Sequence, residues 1–198
     1  MLIIGITGGT GCGKTTALNQ VEALGGCVID CDEVYHGLLD SCGPMIEAIC
    51  TRFPAAMEGG SFDRKRLGRV VFQDPAGLQE LSDMTAPFVV EAVQQILDAA
   101  EAEGCDLAAI DAIGLCESGL RDLCDTTVAV LAPVEVRAAR LMAREGISEE
   151  YALLRIQAQK SNEDFAAMCD HVLMNDCSSA EAFGAVCAQF LQDLLAQA

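Results

Sequence analysis

The segment Gly8-Gly9-Thr10-Gly11-Cys12-Gly13-Lys14-Thr15 constrains this chain more than any other. It follows the short apolar run Leu2–Thr7 and fits the pattern G-x-x-x-x-G-K-[ST]. Glycines let a backbone turn tightly and approach an anion with no side chain between. Successive N–H groups then converge on one concavity, and the helix that follows aims its positive end at the same place. Lys14 adds a full charge for the β- and γ-phosphates of a nucleotide, and Thr15 adds a hydroxyl for Mg2+. A chance match in a glycine turn would not need a strand before it and a helix after it.

The rest of the chain alternates in the same way. Lys14–Leu24 is predicted as a helix stopped by Gly25-Gly26, and Cys27–Asp30 as a second strand. Asp32 is expected to cap a helix over Glu33–Leu39. From Ser41 to Pro75, Pro, Gly and charge mix, which predicts short helices and loops forming a small lobe. Pro87 suits the first turn of a long helix to about Glu103, with Val89, Val93, Ile96, Leu97 and Ala100 as its core stripe. Leu107–Asp111, Thr126–Ala132 and His171–Asn175 read as further strands. Helices are predicted at Val134–Arg144, Ser148–Gln159 and from Ser179, its cap, to the end. The fold class is α/β, a parallel sheet with helices on both faces. A length of 198 residues suits one domain with an inserted lobe.

Two carboxylates fall at strand ends, where ligands bind in such sheets. Asp32 lies just past the second strand and could take the proton of an attacking hydroxyl; its bland alternative is a helix cap, and Asp30 could do either job. Asp111 ends the third strand, where a carboxylate meets a metal, or else simply makes a turn. Glu117 follows in the loop as an acceptor contact or a solvated acid. Arg137, Arg140 and Arg144 share one helix face, which suits either an anion or solvent. Arg64 sits in the basic run Arg64-Lys65-Arg66. His36 and His171 lack partners at useful spacing and are read as core or surface residues.

Composition removes other classes. The net charge of -18 repels nucleic acid and anionic membranes, so neither is expected as a partner. The 11 cysteines follow no metal or disulfide spacing and are read as reduced, buried small hydrophobes. No basic flank precedes the first apolar run, and no run reaches the ~20 residues of a membrane helix, so a cytoplasmic protein is expected, most simply a monomer.

These residues together resemble the dephospho-CoA kinase family over nearly the whole chain. Ile6-Thr7-Gly8-Gly9 through Thr16 resembles the family's opening loop, and Val28-Ile29-Asp30-Cys31-Asp32 its second-strand motif. Phe62-Asp63-Arg64 through Leu67-Gly68 and Val71-Phe72-Gln73-Asp74-Pro75 are similar to its acceptor-side segment. Arg140-Leu141-Met142-Ala143-Arg144 resembles its lid helix, and Arg155-Ile156, Gln159, Asp170 and Asn175 its closing motif.

The resemblance implies a nucleoside-monophosphate-kinase-type fold with a five-stranded sheet, a helical acceptor lobe over about 33–95 and a lid over about 137–165. It implies ATP and dephospho-CoA as substrates, with Mg2+. Asp32, Lys14, Arg140 and Arg144 would be catalytic, and Gly9 through Thr16 with Asn175 would bind ATP. Thr7, Asp32, Arg64, Leu67, Pro87, Leu115 and Glu117 would bind the acceptor, and Thr15 and Asp111 the metal. Departures stand at Ala86, at Ile113, Gly114 and Cys116, and at Arg137, where the family commonly carries glutamine. Another nucleoside or nucleotide acceptor, or a catalytically silent ATP binder, stays open on the residues.

Overall fold

The computed structural model describes residues 1–197. In chain order its elements are β1 (Leu2–Thr7), α1 (Lys14–Ala23), β2 (Cys27–Asp30), α2 (Cys31–Ser41), α3 (Gly43–Arg52), β3 (Met57–Glu58), β4 (Ser61–Phe62), α4 (Arg64–Val71) and α5 (Pro75–Ala102). They continue with β5 (Leu107–Asp111), β6 (Thr126–Leu131), α6 (Val134–Glu145), α7 (Glu149–Gln157), α8 (Asn162–Met168), β7 (His171–Met174) and α9 (Ala180–Leu195). Two compact units divide the chain, one of Met1–Ile29 with Leu97–Ala198, the other of Asp30–Ile96.

The first unit is built on a five-stranded sheet of order β2-β5-β1-β6-β7. β1 pairs with β5 and with β6, and β6 with β7, all in parallel. Both faces are covered, which is why its strands read as unbroken apolar runs. On one face Ile4, Ile6, Val128, Val130 and Leu173 pack against Ala17, Leu18 and Val21 of α1 and Phe183, Cys187 and Leu191 of α9. On the other, Ala129 and Leu131 meet Phe165 of α8. Asp170 secures the entry to β7. Its carboxylate accepts from the Thr127 amide at 2.9 Å and hydroxyl at 2.7 Å, and pairs with Arg121 at 3.0 Å. The Thr127 bonds hold its carboxyl below the usual range.

The second unit has its own core, in which Leu39, Met45, Ile49, Phe53, Leu67, Val71 and Leu81 come together. Asp63 caps α4 by accepting from the amides of Lys65 at 2.7 Å and Arg66 at 3.0 Å. Those two bonds to the charged form, the Arg66 amide foremost, lower the Asp63 pKa.

Four expectations need correction. Asp32 does not cap α2: the cap is Asp30, whose Oδ1 accepts from the amides of Asp32 at 2.8 Å and Glu33 at 3.1 Å. The helix therefore begins straight after the strand, with Asp32 in its first turn. The long helix starts at Pro75, where Asp74 Oδ1 takes the Ala76 amide at 3.1 Å, and runs on through Pro87. A proline there costs about 3 kcal/mol of helix propensity, and burial of Val89, Val93 and Leu97 outweighs it, while Ile96 lies at the surface. The stretch between α3 and α4 includes a hairpin, β3–β4, turned by Gly59-Gly60, both with positive φ. Lastly, all 11 cysteines are free, but only Cys12, Cys31 and Cys187 are fully buried. Among the described residues no helix is long and apolar enough to cross a membrane.

Candidate active site

The loop from Gly8 to Gly13 joins the C-terminal end of β1 to the first turn of α1. Thr7, at the end of β1, donates its hydroxyl to the Ile113 carbonyl at 3.1 Å and so ties the loop's root to the segment after β5. Gly13 occupies the cap position of α1 with φ 103° and no side chain to satisfy the helix amides. A Cβ on it would stand 2.3 Å from Asn175 Nδ2, so only glycine fits. The first-turn N–H groups are left for an anion.

They open on a cavity of about 320 Å3 lined by Gly9, Thr10, Gly11, Cys12, Gly13, Lys14 and Thr15, with Ile113, Arg140, Arg144, Arg155 and Gln159 completing the wall. The first unit has seven basic residues, Lys14, Arg121, Arg137, Arg140, Arg144, Arg155 and Lys160. Four of them face this one cavity. In a chain of charge -18, that convergence makes a local field able to hold a polyanion. Cys12 contributes backbone only, because its thiol is buried, and that burial raises its pKa.

Lys14 Nζ lies 3.6 Å from Asp111 Oδ1, with both side chains mostly shielded. Thr15, one residue on, keeps its hydroxyl at the exposed lip of the helix. A carboxylate and a hydroxyl are hard oxygen donors, the set that suits Mg2+ and leaves it room for water and phosphate oxygens.

Helix α6 delivers its arginines to different tasks. Arg140 donates to the carbonyls of Gly11 at 3.2 Å and Cys12 at 3.3 Å, and to Asn175 Oδ1 at 3.0 Å. Asn175 is buried and returns Nδ2 to the Cys12 carbonyl at 2.8 Å. Arg144 is exposed, and Glu145 takes hydrogen bonds from both Arg144, at 2.6 Å, and Arg155. Those two guanidinium groups, Arg144 first, hold the Glu145 carboxyl below its usual range. Arg137 departs from the solvent-or-anion reading of its face. It is 2% exposed and gives Nε to the Thr10 carbonyl at 2.9 Å. A second cavity of about 620 Å3 adjoins the first through Gly13 and Arg140, and Thr16 and Asn175 line it.

The dephospho-CoA kinase family model matches residues 2–181. This chain belongs to that family. A dephospho-CoA kinase of Anaeromyxobacter dehalogenans is 35% identical over 98% of this chain and 92% of its own length. That of Dehalococcoides mccartyi is 34% identical over 89% of this chain and 90% of its own. Among solved structures, TT1252 from Thermus thermophilus superposes with a TM-score of 0.74 at 31% identity, covering 96% of this chain and 97% of that one.

Against the family's pattern, several acceptor-side candidates have particular settings. The Leu115 side chain is fully buried against Gly5. Glu117 pairs with Lys160 at 2.5 Å, and neither lines the cavity. Within the second unit, Asp32 and Pro87 are exposed and Leu67 is core. Arg64 donates to the His36 carbonyl at 2.9 Å and pairs with Asp40. Three cavity residues, Ile113, Arg155 and Gln159, were outside the candidate site set. Arg155 in α7 and Gln159 just past its end both belong to the closing motif of the family resemblance, and that motif is the signal for two of them.

Proposed function

We infer that this protein transfers the γ-phosphoryl group of ATP to the ribose 3′-hydroxyl of dephospho-CoA, giving CoA and ADP. The observation that carries the reading is the glycine cradle opening on a cavity that Lys14, Arg140, Arg144 and Arg155 share, in a member of the dephospho-CoA kinase family.

Each group has a task that its chemistry suits. The cradle amides and Lys14 bind the β- and γ-phosphates. Arg144, exposed, and Arg155, half-buried, sit at the wall and stabilise charge spreading over the transferring group. Arg140 is the hinge between the phosphate cavity and the neighbouring one, which we assign to the nucleoside of ATP with Asn175 and Thr16 at its wall. Thr15 and Asp111 would hold Mg2+, which when bound neutralises phosphate charge.

Asp32 is assigned as proton acceptor for the attacking hydroxyl. It is exposed, and Asp30 pins its backbone amide. Thr7, Arg64, Leu67, Pro87, Leu115 and Glu117 are assigned to the acceptor side, Leu67 and Leu115 through backbone or shape rather than direct side-chain contact. We take about 33–95, within the unit Asp30–Ile96, as the acceptor lobe, about 137–165 as the lid, the cytoplasm as the site of action and a monomer as the working form.

Mass spectrometry of a reaction with ATP, Mg2+ and dephospho-CoA tests the reading. A product one phosphate heavier, with ADP released in equal amount, is expected. Turnover of a nucleoside panel with none of dephospho-CoA overturns it. Asp32→Asn is expected to lower kcat by about a hundredfold or more while ATP still binds; unchanged turnover removes Asp32 from the proton-acceptor role.

A further inference from the structure

The tip of the cradle is fastened by Arg137, which does not line the phosphate cavity, and by Gln159, which stands at its wall. Thr10 gives its amide to Gln159 Oε1 at 2.8 Å, and its carbonyl accepts Arg137 Nε at 2.9 Å. Arg137 also donates NH2 to the same Gln159 oxygen at 3.1 Å. The peptide groups on both sides of Thr10 are therefore held by one three-residue knot. Arg137 comes from α6 and Gln159 follows α7, two helices locked together by Ala138, Leu141, Ala152 and Ile156.

The guanidinium at the centre of this knot is among the largest fully buried side chains in the chain. Room for it depends on Gly9, where a Cβ would stand 2.2 Å from Arg137 NH2. Both of its acceptors are neutral, so its charge is hydrogen-bonded without being cancelled by them. Burial lowers its pKa, yet guanidinium keeps its proton at neutral pH. A cation behind a polar wall, shielded from salt, acts on an anion in front of that wall more strongly than a surface charge would.

We propose that Arg137 is a positioning residue for triphosphate binding, which fixes the peptide groups flanking Thr10 and lends the cradle a buried positive charge without touching the nucleotide. The inference rests on the kinase reading only in taking a triphosphate as ligand. Gln159 is its partner in the role. Loss of the arginine loosens the tip, so that amides aimed at the phosphates must be reordered on binding, and removes charge from behind them.

Binding of ATP and of inorganic tripolyphosphate, measured by calorimetry without acceptor, tests this on Arg137→Met, Arg137→Lys, Arg137→Gln and Gln159→Leu beside the wild type. Arg137→Met is expected to weaken both ligands about tenfold, with the loss persisting at high salt and kcat at saturating ATP within about threefold of wild type. Arg137→Lys, which restores a charge and a donor, recovers most of the affinity. Gln159→Leu, at a less buried position, weakens binding about three- to fivefold, and Arg137→Gln, which keeps a donor without the charge, binds both ligands several-fold more weakly than wild type and decides the matter if Arg137→Met does not fold. ATP affinity unchanged in Gln159→Leu and within twofold in Arg137→Met, or in Arg137→Gln in its place, overturns the proposal, as does equal loss in the Met and Lys variants, which would mark a packing role. A wild type that binds ATP yet leaves dephospho-CoA untouched sinks the assigned reaction alone.

Discussion

Lys14 Nζ stands 3.6 Å from Asp111 Oδ1, so the cation that opens α1 and the carboxylate that closes β5 hold one another. An arriving triphosphate competes with Asp111 for the lysine. Removing that carboxylate charge leaves Lys14 to the phosphates and takes away a hard oxygen donor. Asp111→Asn is therefore expected to bind metal-free ATP as well as wild type or a few-fold better, and to lose about a hundredfold in Mg2+-dependent turnover. Calorimetry with and without Mg2+, beside steady-state kinetics, checks both halves. Weaker metal-free binding in the variant contradicts this account of the pair.

Glu145 takes hydrogen bonds from Arg144 and Arg155, two of the four cations at the cavity. Its carboxylate offsets part of the field that attracts ATP. Glu145→Gln is expected to lower KM for ATP about two- to threefold at low ionic strength, with the difference vanishing in concentrated salt as exposed charges are screened. A KM that rises instead would show that Glu145 holds the arginines in a productive position.

Asn175 is 3% exposed and satisfies the Cys12 carbonyl and one arm of Arg140. Asn175→Leu keeps the branched outline and takes one hydrogen bond from each partner, leaving the Cys12 carbonyl its longer bond from Arg140. A loss of about 1–3 kcal/mol is expected. For a chain of this size that lowers Tm by several degrees, about 2–4 °C per kcal/mol. ATP affinity falls with it, because the Cys12 peptide belongs to the cradle. Thermal denaturation and ATP titration of the variant read these two effects separately.

Acid stability tests Asp170. Thr127 hydrogen bonds, helped by Arg121, depress its pKa in the folded chain. A group lowered on folding adds stability above its unfolded pKa, and that stability is lost as pH falls through the folded value. The loss thus belongs to the range below about pH 4, the unfolded aspartate value. Wild-type Tm should drop more steeply there than that of Asp170→Asn, and the two slopes should agree near neutrality. Parallel slopes down to the acid limit would rule out this contribution.

The sequence alone determined the sheet and the cradle. Strands Leu2–Thr7, Cys27–Asp30 and Leu107–Asp111 were legible because each is a short apolar run ended by glycine or aspartate, and a strand buried on both faces needs nothing else. The loop from Gly8 to Thr15 was legible because a backbone that wraps a phosphate demands glycine at set steps. Tertiary structure decided what local pattern could not. Asp30 rather than Asp32 caps α2, since two aspartates two apart offer the same chemistry and only the strand's exit angle selects one. Helix α5 runs through Pro87, since burial on one side outweighs a lost backbone bond. Arg137, Arg140 and Arg144 share a face by spacing, yet one is buried, one bridges two cavities and one is exposed. Helical period fixes direction around an axis; what waits in that direction, a loop tip, an asparagine or water, depends on segments brought there by the fold.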